Sequence, residues 1–383
     1  MIYFDNSATT QCSEAAAAKV HEALTEQFGN PSSLHNFGML GENYIKESRE
    51  IIAKSLHVTP KEIFFTSGGT EGNNLAIKGA ADAYKRRGKH IVTTDIEHAA
   101  VLNPFAALEK EGYEATYLGV DEYGVVSLDA VKAAVREDTI LVSVMYVNNE
   151  IGAVMPIAEI GSYLKKNYPD CIFHVDAIQA FGKFDINPKK LGIDILTVSG
   201  HKLHGPKGSG FIYIRDKVRV IPQILGGGQE YGMRSGTENV PAIAGLGVAV
   251  AEAMDGLSEN REHLFELRNA LIDGLSDIEG VSLNGHLDDS NAPHILSVSV
   301  DGVRAEVLLH SLEDKGIYVS AGSACSSNKP AISRTLKAIG LDAKLLDSTV
   351  RFSFCKNNTL NEVTEAVAVM RELVPQLRKY TRH

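Results

Sequence analysis

From Glu62 to Val198 short β-rich runs alternate with longer stretches of helical periodicity, and few folds accommodate that rhythm. Strands are predicted at 62–66, 91–94, 115–118, 140–146, 172–175 and 193–198, with helices at 70–87, 98–111, 128–135 and 157–166. Strands separated by helices are joined by crossovers, so they pair mainly in parallel and the sheet is covered on both faces. An α/β fold follows. A further β-rich run, Phe211-Ile-Tyr-Ile-Arg215, comes soon after the turn that closes the last of these strands.

At 383 residues the chain exceeds one typical core, so two domains or one large α/β unit are expected. Upstream of the alternating region, helices are predicted at about 13–28 and 41–56. Around Met254-Asp-Gly-Leu-Ser258 the pattern changes to a long helix (262–275), strands at 281–283, 295–300 and 317–319, a helix at 305–314 and two terminal helices. That composition reads as a smaller α+β unit. The boundary is placed near residue 256, giving a large domain over 14–256 and a small one made of 1–13 and 257–383.

A net charge of -10 argues against a nucleic-acid backbone or an anionic membrane as the main partner. No apolar run reaches membrane-spanning length, and the first residues carry no basic or apolar leader, so a cytoplasmic location is expected. Four cysteines (Cys12, Cys171, Cys325 and Cys355) lack paired or metal-ligand spacing, and free thiols with no metal site are expected.

In open parallel sheets ligands bind beyond the carboxyl ends of the strands. Here those ends carry polar clusters. Thr66-Ser-Gly-Gly-Thr-Glu-Gly-Asn-Asn74 joins a strand to a helix, where converging N–H groups make either an anion site or a plain capped turn. His98 opens a helix as a cap or a ligand, and Asn149 in Val147-Asn-Asn-Glu150 shapes a turn or binds. Asp176 directly follows an apolar run, a place where a carboxylate needs a cation or several donors. Ser199-Gly-His-Lys202 ends the last strand with an amine at a buried mouth, where charge is costly and a partly neutral amine forms Schiff bases. An imine-forming lysine, a carboxylate seeking a cation, a glycine turn for a dianion and a stacking histidine together match pyridoxal 5'-phosphate.

The motifs Thr66-Ser-Gly-Gly-Thr-Glu71, Glu97-His98, Val147-Asn-Asn-Glu-Ile-Gly152, His174-Val-Asp-Ala-Ile-Gln179, Ser199-Gly-His-Lys202, Arg234-Ser-Gly-Thr237 and Ser323-Ala-Cys325 resemble those of the NifS/IscS-type cysteine desulfurases. These belong to the class V aminotransferase group of fold-type I enzymes, and the likeness runs from Tyr3 to about Leu377. It implies a large domain with a mainly parallel seven-stranded sheet between helices and a smaller α+β domain. It also implies roles. Lys202 would hold pyridoxal phosphate and move the substrate Cα proton, Asp176 would keep the ring nitrogen protonated, Gln179 would bond the phenolic oxygen and His98 would stack on the ring. Gly69, Thr70, Ser199 and His201 would hold the phosphate, with Thr237 reaching the phosphate of a neighbouring subunit in a homodimer. Arg351 and Asn149 would grip the substrate, assisted by Asn30.

Small residues around Cys325 predict a loop in which a thiol can react rather than pack. The resemblance makes it the group that takes sulfur from L-cysteine, releasing L-alanine and passing a persulfide to an iron–sulfur scaffold or another acceptor protein. A selenocysteine lyase or another class V enzyme is the alternative. Arg351, Ser353 and Cys355 alternate onto one strand face, which brings Cys355 toward the site edge, although a packing role is favoured. The sequence stops at His383, short of the longer tail of scaffold-docking relatives, which leaves the acceptor open.

Overall fold

The structure, a computed structural model, describes residues 1–321 and 333–380. Its strands are β1 (Ile2–Tyr3), β2 (Ile63–Thr66), β3 (His90–Thr94), β4 (Glu114–Leu118), β5 (Thr139–Met145), β6 (Ile172–Asp176), β7 (Ile195–Ser199), β8 (Gly210–Ile214), β9 (Val281–Asn284), β10 (Ile295–Val300), β11 (Ile317–Tyr318), β12 (Ser320–Ala321) and β13 (Thr349–Ser353). Seven of them form one sheet in the order β2-β8-β7-β6-β5-β3-β4. The neighbours from β7 through β4 pair in parallel, and only β8 runs against both of its partners. The α/β class and the mainly parallel seven-stranded sheet are as expected.

Successive strand residues face opposite sides of a sheet, so a sheet covered twice must be apolar at nearly every position. On one face Ile91, Leu141, Ile172, Ile195 and Ile212 pack with helices Gly69–Tyr84 and Ala99–Lys110. Their immediate neighbours Val92, Val142, Phe173, Leu196 and Phe211 join a core on the other face with helices Asn36–Ser55, Ile157–Asn167 and Val240–Met254.

A second core gathers around the antiparallel sheet β12-β13-β10-β9 and helices Leu257–Leu275, Ala305–Glu313 and Leu360–Tyr380. The N-terminal segment belongs to it. β1 pairs in parallel with β11, and Phe4 meets Phe354 edge-on at 5.0 Å.

Three details depart from the sequence reading. Helix Val240–Met254 was not predicted. The long helix predicted from residue 262 starts at Leu257, and the strand predicted at 317–319 is two short strands with different partners, β1 and β13. Among the described residues no single helix is long and apolar enough to cross a membrane.

Candidate active site

Parallel pairing aligns the carboxyl ends of neighbouring strands, and here it puts Met145 beside Asp176 and Asp176 beside Thr197. β2 opens on the same side, because β8 runs antiparallel to both β2 and β7 and sets Gly210 opposite Thr66 and Ser199. A side chain at Gly210 would stand 2.8 Å from the Gly68 Cα, so glycine lets the Ser67–Gly69 turn lie against Ser199. A cavity of about 230 Å³ occupies this rim. Its walls include Gly69 and Thr70 from the start of helix Gly69–Tyr84, His98, Asn149, Asp176 with Gln179, the Ser199–Lys202 turn and Arg351 from β13.

Asp176 is 5% exposed, and its two oxygens accept hydrogen bonds from Ile178 N at 3.0 Å and Asn73 Nδ2 at 2.7 Å. Burial pushes its pKa up, while those donors and the nearby His98 and Lys202 pull it back down. A carboxylate so placed is stabilised by a cationic N–H facing it. His98 is the N-cap of helix Ala99–Lys110, its Nδ1 accepting from Ala100 N at 3.1 Å, so it is a cap and a cavity wall at once. His201 Nδ1 shares a hydrogen bond with Thr9 Oγ1 at 3.2 Å, and burial with Lys202 and Lys207 nearby depresses its pKa to about 4, leaving a neutral ring.

Lys202 Nζ donates to the carbonyls of Ser7 and Ala8, the latter at 2.6 Å. Gln179 Nε2 donates to Ser7 O at 3.0 Å, and Thr10 binds His201 O through both its N–H and its hydroxyl. The segment from Asp5 to Thr10 therefore floors the site. Sequence reasoning missed it, since these contacts span nearly two hundred residues; the run of small polar residues Asn6-Ser-Ala-Thr-Thr10 was the available signal. Arg351, 6% exposed, donates from Nη1 to Asn149 O at 2.6 Å and from Nη2 to Asp5 Oδ1 at 2.8 Å.

Two predicted residues lie elsewhere. Asn30 is exposed and accepts Ser32 N at 2.9 Å within its own turn. Thr237 is exposed and lines a separate cavity with Ser67, Gly208 and Arg234. Cys325 lies outside the described residues. Cys355 is half-buried in a smaller cavity behind Lys202, together with Lys183 and His294, and burial raises its thiol pKa, which suits packing better than nucleophilic attack.

Pyridoxal phosphate fits these donors: an amine, a buried carboxylate for a ring N–H, a histidine ring at the cavity wall, and a helix N-terminus with two polar side chains for a phosphate. The chain belongs to the class-V aminotransferase family, which it matches over residues 2–365. It is 45% identical over 377 residues to a cysteine desulfurase IscS from Methanosarcina thermophila, covering 98% of this chain and 93% of that one. Among solved structures it is similar to a NifS-like protein, with TM-score 0.93, 39% identity and coverage of 98% and 100% of the two chains. It is also similar to SspA in complex with cysteine, with TM-score 0.78, 35% identity and coverage of 94% and 100%.

Proposed function

We propose that the protein is a pyridoxal-phosphate-dependent cysteine desulfurase. The observation that carries this is the convergence of Lys202, Asp176, His98 and Arg351 on one cavity, in a chain so similar over its length to proteins of that name. Bound pyridoxal phosphate supplies an electrophilic aldehyde and a ring that accepts an electron pair from the substrate Cα.

The residues do the rest. Lys202 Nζ holds the cofactor, then receives the Cα proton and later returns it to the three-carbon fragment. The Ser7 and Ala8 carbonyls give its amine a fixed resting place between those tasks. Asp176 would keep the ring nitrogen protonated, Gln179 would bond the phenolic oxygen, and His98 would stack on the ring. Gly69, Thr70, Ser199 and His201 would hold the phosphate. Arg351 pairs with the substrate carboxylate, and Asn149, whose carbonyl anchors Arg351, lies beside it. Cys325 attacks the substrate sulfur as a thiolate. The S–S bond forms as the Cβ–S bond breaks, leaving a persulfide on Cys325 and L-alanine to depart, and an acceptor protein then takes the sulfur.

We also infer a homodimer in which Thr237 serves the neighbouring subunit's phosphate. Phe28, Leu34, Leu225 and Tyr231 are large apolar side chains exposed here, suited to cover by a second copy. Sedimentation at twice the chain mass is expected, and a monomer with full activity would refute it. Purified protein should carry a yellow, borohydride-reducible band and release L-alanine from L-cysteine. Lys202→Ala should lose that band, and Cys325→Ala should lose persulfide formation; sulfur release at the wild-type rate by Cys325→Ala would sink the assignment.

A further inference from the structure

Arg351 has five N–H donors, and the protein itself already engages the guanidinium on two sides, through Asn149 O and Asp5 Oδ1. The ion pair with Asp5 is 2.8 Å long, and the two side chains are 21% and 7% exposed, so water screens it poorly. The backbone leaves it little slack. Asp5 bridges Ser353, two residues past Arg351 on β13; Asn6 N donates to Ser353 O at 3.3 Å and Ser7 N to Ser353 Oγ at 2.8 Å.

We propose that Asp5 is an internal stand-in for the substrate carboxylate, a positioning residue that competes for Arg351 and so sets how loosely the site holds every α-amino acid. This rests on the assignment of Arg351 as the carboxylate-binding group. An incoming α-carboxylate meets a cation whose charge is already countered and an anion a few ångströms away, and like charges brought together in a poorly hydrated site oppose binding. L-Cysteine and L-alanine present the same carboxylate, so both are weakened by the same factor. The reaction benefits at its end: the product leaves a site that would otherwise retain it. Asp5 also keeps the guanidinium aimed while the site waits, which a neutral acceptor would do as well.

Asp5→Asn separates the two effects, because it keeps an acceptor oxygen and removes only the charge. Calorimetric titration of the holoenzyme with L-alanine is expected to give about tenfold tighter binding in the variant. The KM for L-cysteine should fall by a similar factor, and binding of cysteamine, which has no carboxylate, should not change. Asp5→Glu should restore weak binding. Asp5→Ser serves as the second charge-removing variant if Asp5→Asn folds poorly, as judged by its unfolding midpoint. Unchanged or weaker L-alanine binding in a folded charge-removed variant overturns the stand-in role. Arg351→Gln tests the underlying assignment separately: L-alanine affinity unchanged there would overturn the carboxylate-binding role of Arg351 itself.

Discussion

Glu230→Gln is predicted to be among the most damaging conservative changes in this chain. Glu230 accepts from Arg49 Nη2 at 2.6 Å, from Arg49 Nη1 at 3.0 Å and from Phe65 N at 2.8 Å, and the paired side chains are 3% and 6% exposed. The guanidinium also lies 4.7 Å from the Phe65 ring centroid and 5.3 Å from that of Tyr231. Glutamine preserves the shape and an acceptor but leaves a buried guanidinium without its counter-charge, which costs about 3–5 kcal/mol. The damage reaches the site because Glu230 holds Phe65 N in β2, the strand that leads into the Ser67–Gly69 turn, from its own left-handed backbone at φ of 48°. Urea unfolding followed by circular dichroism should show the loss, and cofactor should dissociate more readily. The double variant Arg49→Met, Glu230→Gln removes the stranded charge and should recover to within about 1–2 kcal/mol of wild type. If it is instead as unstable as the two single losses added together, uncompensated charge is not the cause.

Other perturbations have equally definite outcomes. Asp176→Asn should lower kcat by on the order of 10²–10³ while the cofactor remains bound, because the charge facing the ring nitrogen is lost; a wild-type kcat refutes that pairing. Burial pushes the Glu97 carboxyl up to about 8, so the folded state keeps a proton that the unfolded chain releases at ~4.3. Its stabilisation is complete below that lower value and is lost as pH rises through about 8. Glu97→Gln mimics the protonated acid and should flatten the fall in unfolding midpoint across that window; equal slopes for variant and wild type would refute it. Gly210→Ala drives a methyl to 2.6 Å from Val198 O and 2.8 Å from Gly68 Cα, both backbone atoms, and should cost about 1–3 kcal/mol with weaker cofactor retention, measured by cofactor titration.

Where a side chain's placement is local in sequence, it was readable. Asp176 and Ser199 end strands, and His98 and Lys202 come within four residues of a strand end, so the periodicity that locates the strand also locates the side chain. Asn149 and Gly69 became legible the same way. What escaped depended on distant pairing or on missing period. Helix Val240–Met254 is apolar on nearly every side because it packs against both Glu14–Thr25 and Asn36–Ser55, and a helix buried all round has no polar face to reveal its 3.6-residue repeat. Gly247 sits there with a Cβ position 2.5 Å from Ser48 Oγ, so a close helix approach looked in sequence like breaker residues. Asp5 offered only a carboxylate after a short apolar run; its meaning comes from an arginine 346 residues later.

That separation bears on how the enzyme comes into being. The carbonyls that hold Lys202 and the carboxylate that holds Arg351 sit in a stretch translated long before β13, yet Asn6 Nδ2 meets Ser353 O only across 347 positions. Closing so long a loop adds little to the equilibrium cost, since that cost rises only logarithmically with length, but it fixes an order of events. The parallel sheet can form, Asp176, Ser199 and Lys202 can take their places, and Ser7, Ala8 and Thr10 can dock against Lys202 and His201 while Arg351 and Ser353 are still missing. Grip on a substrate carboxylate then waits for β13, and a ribosome stalled before residue 349 would display a folded sheet without its Arg351.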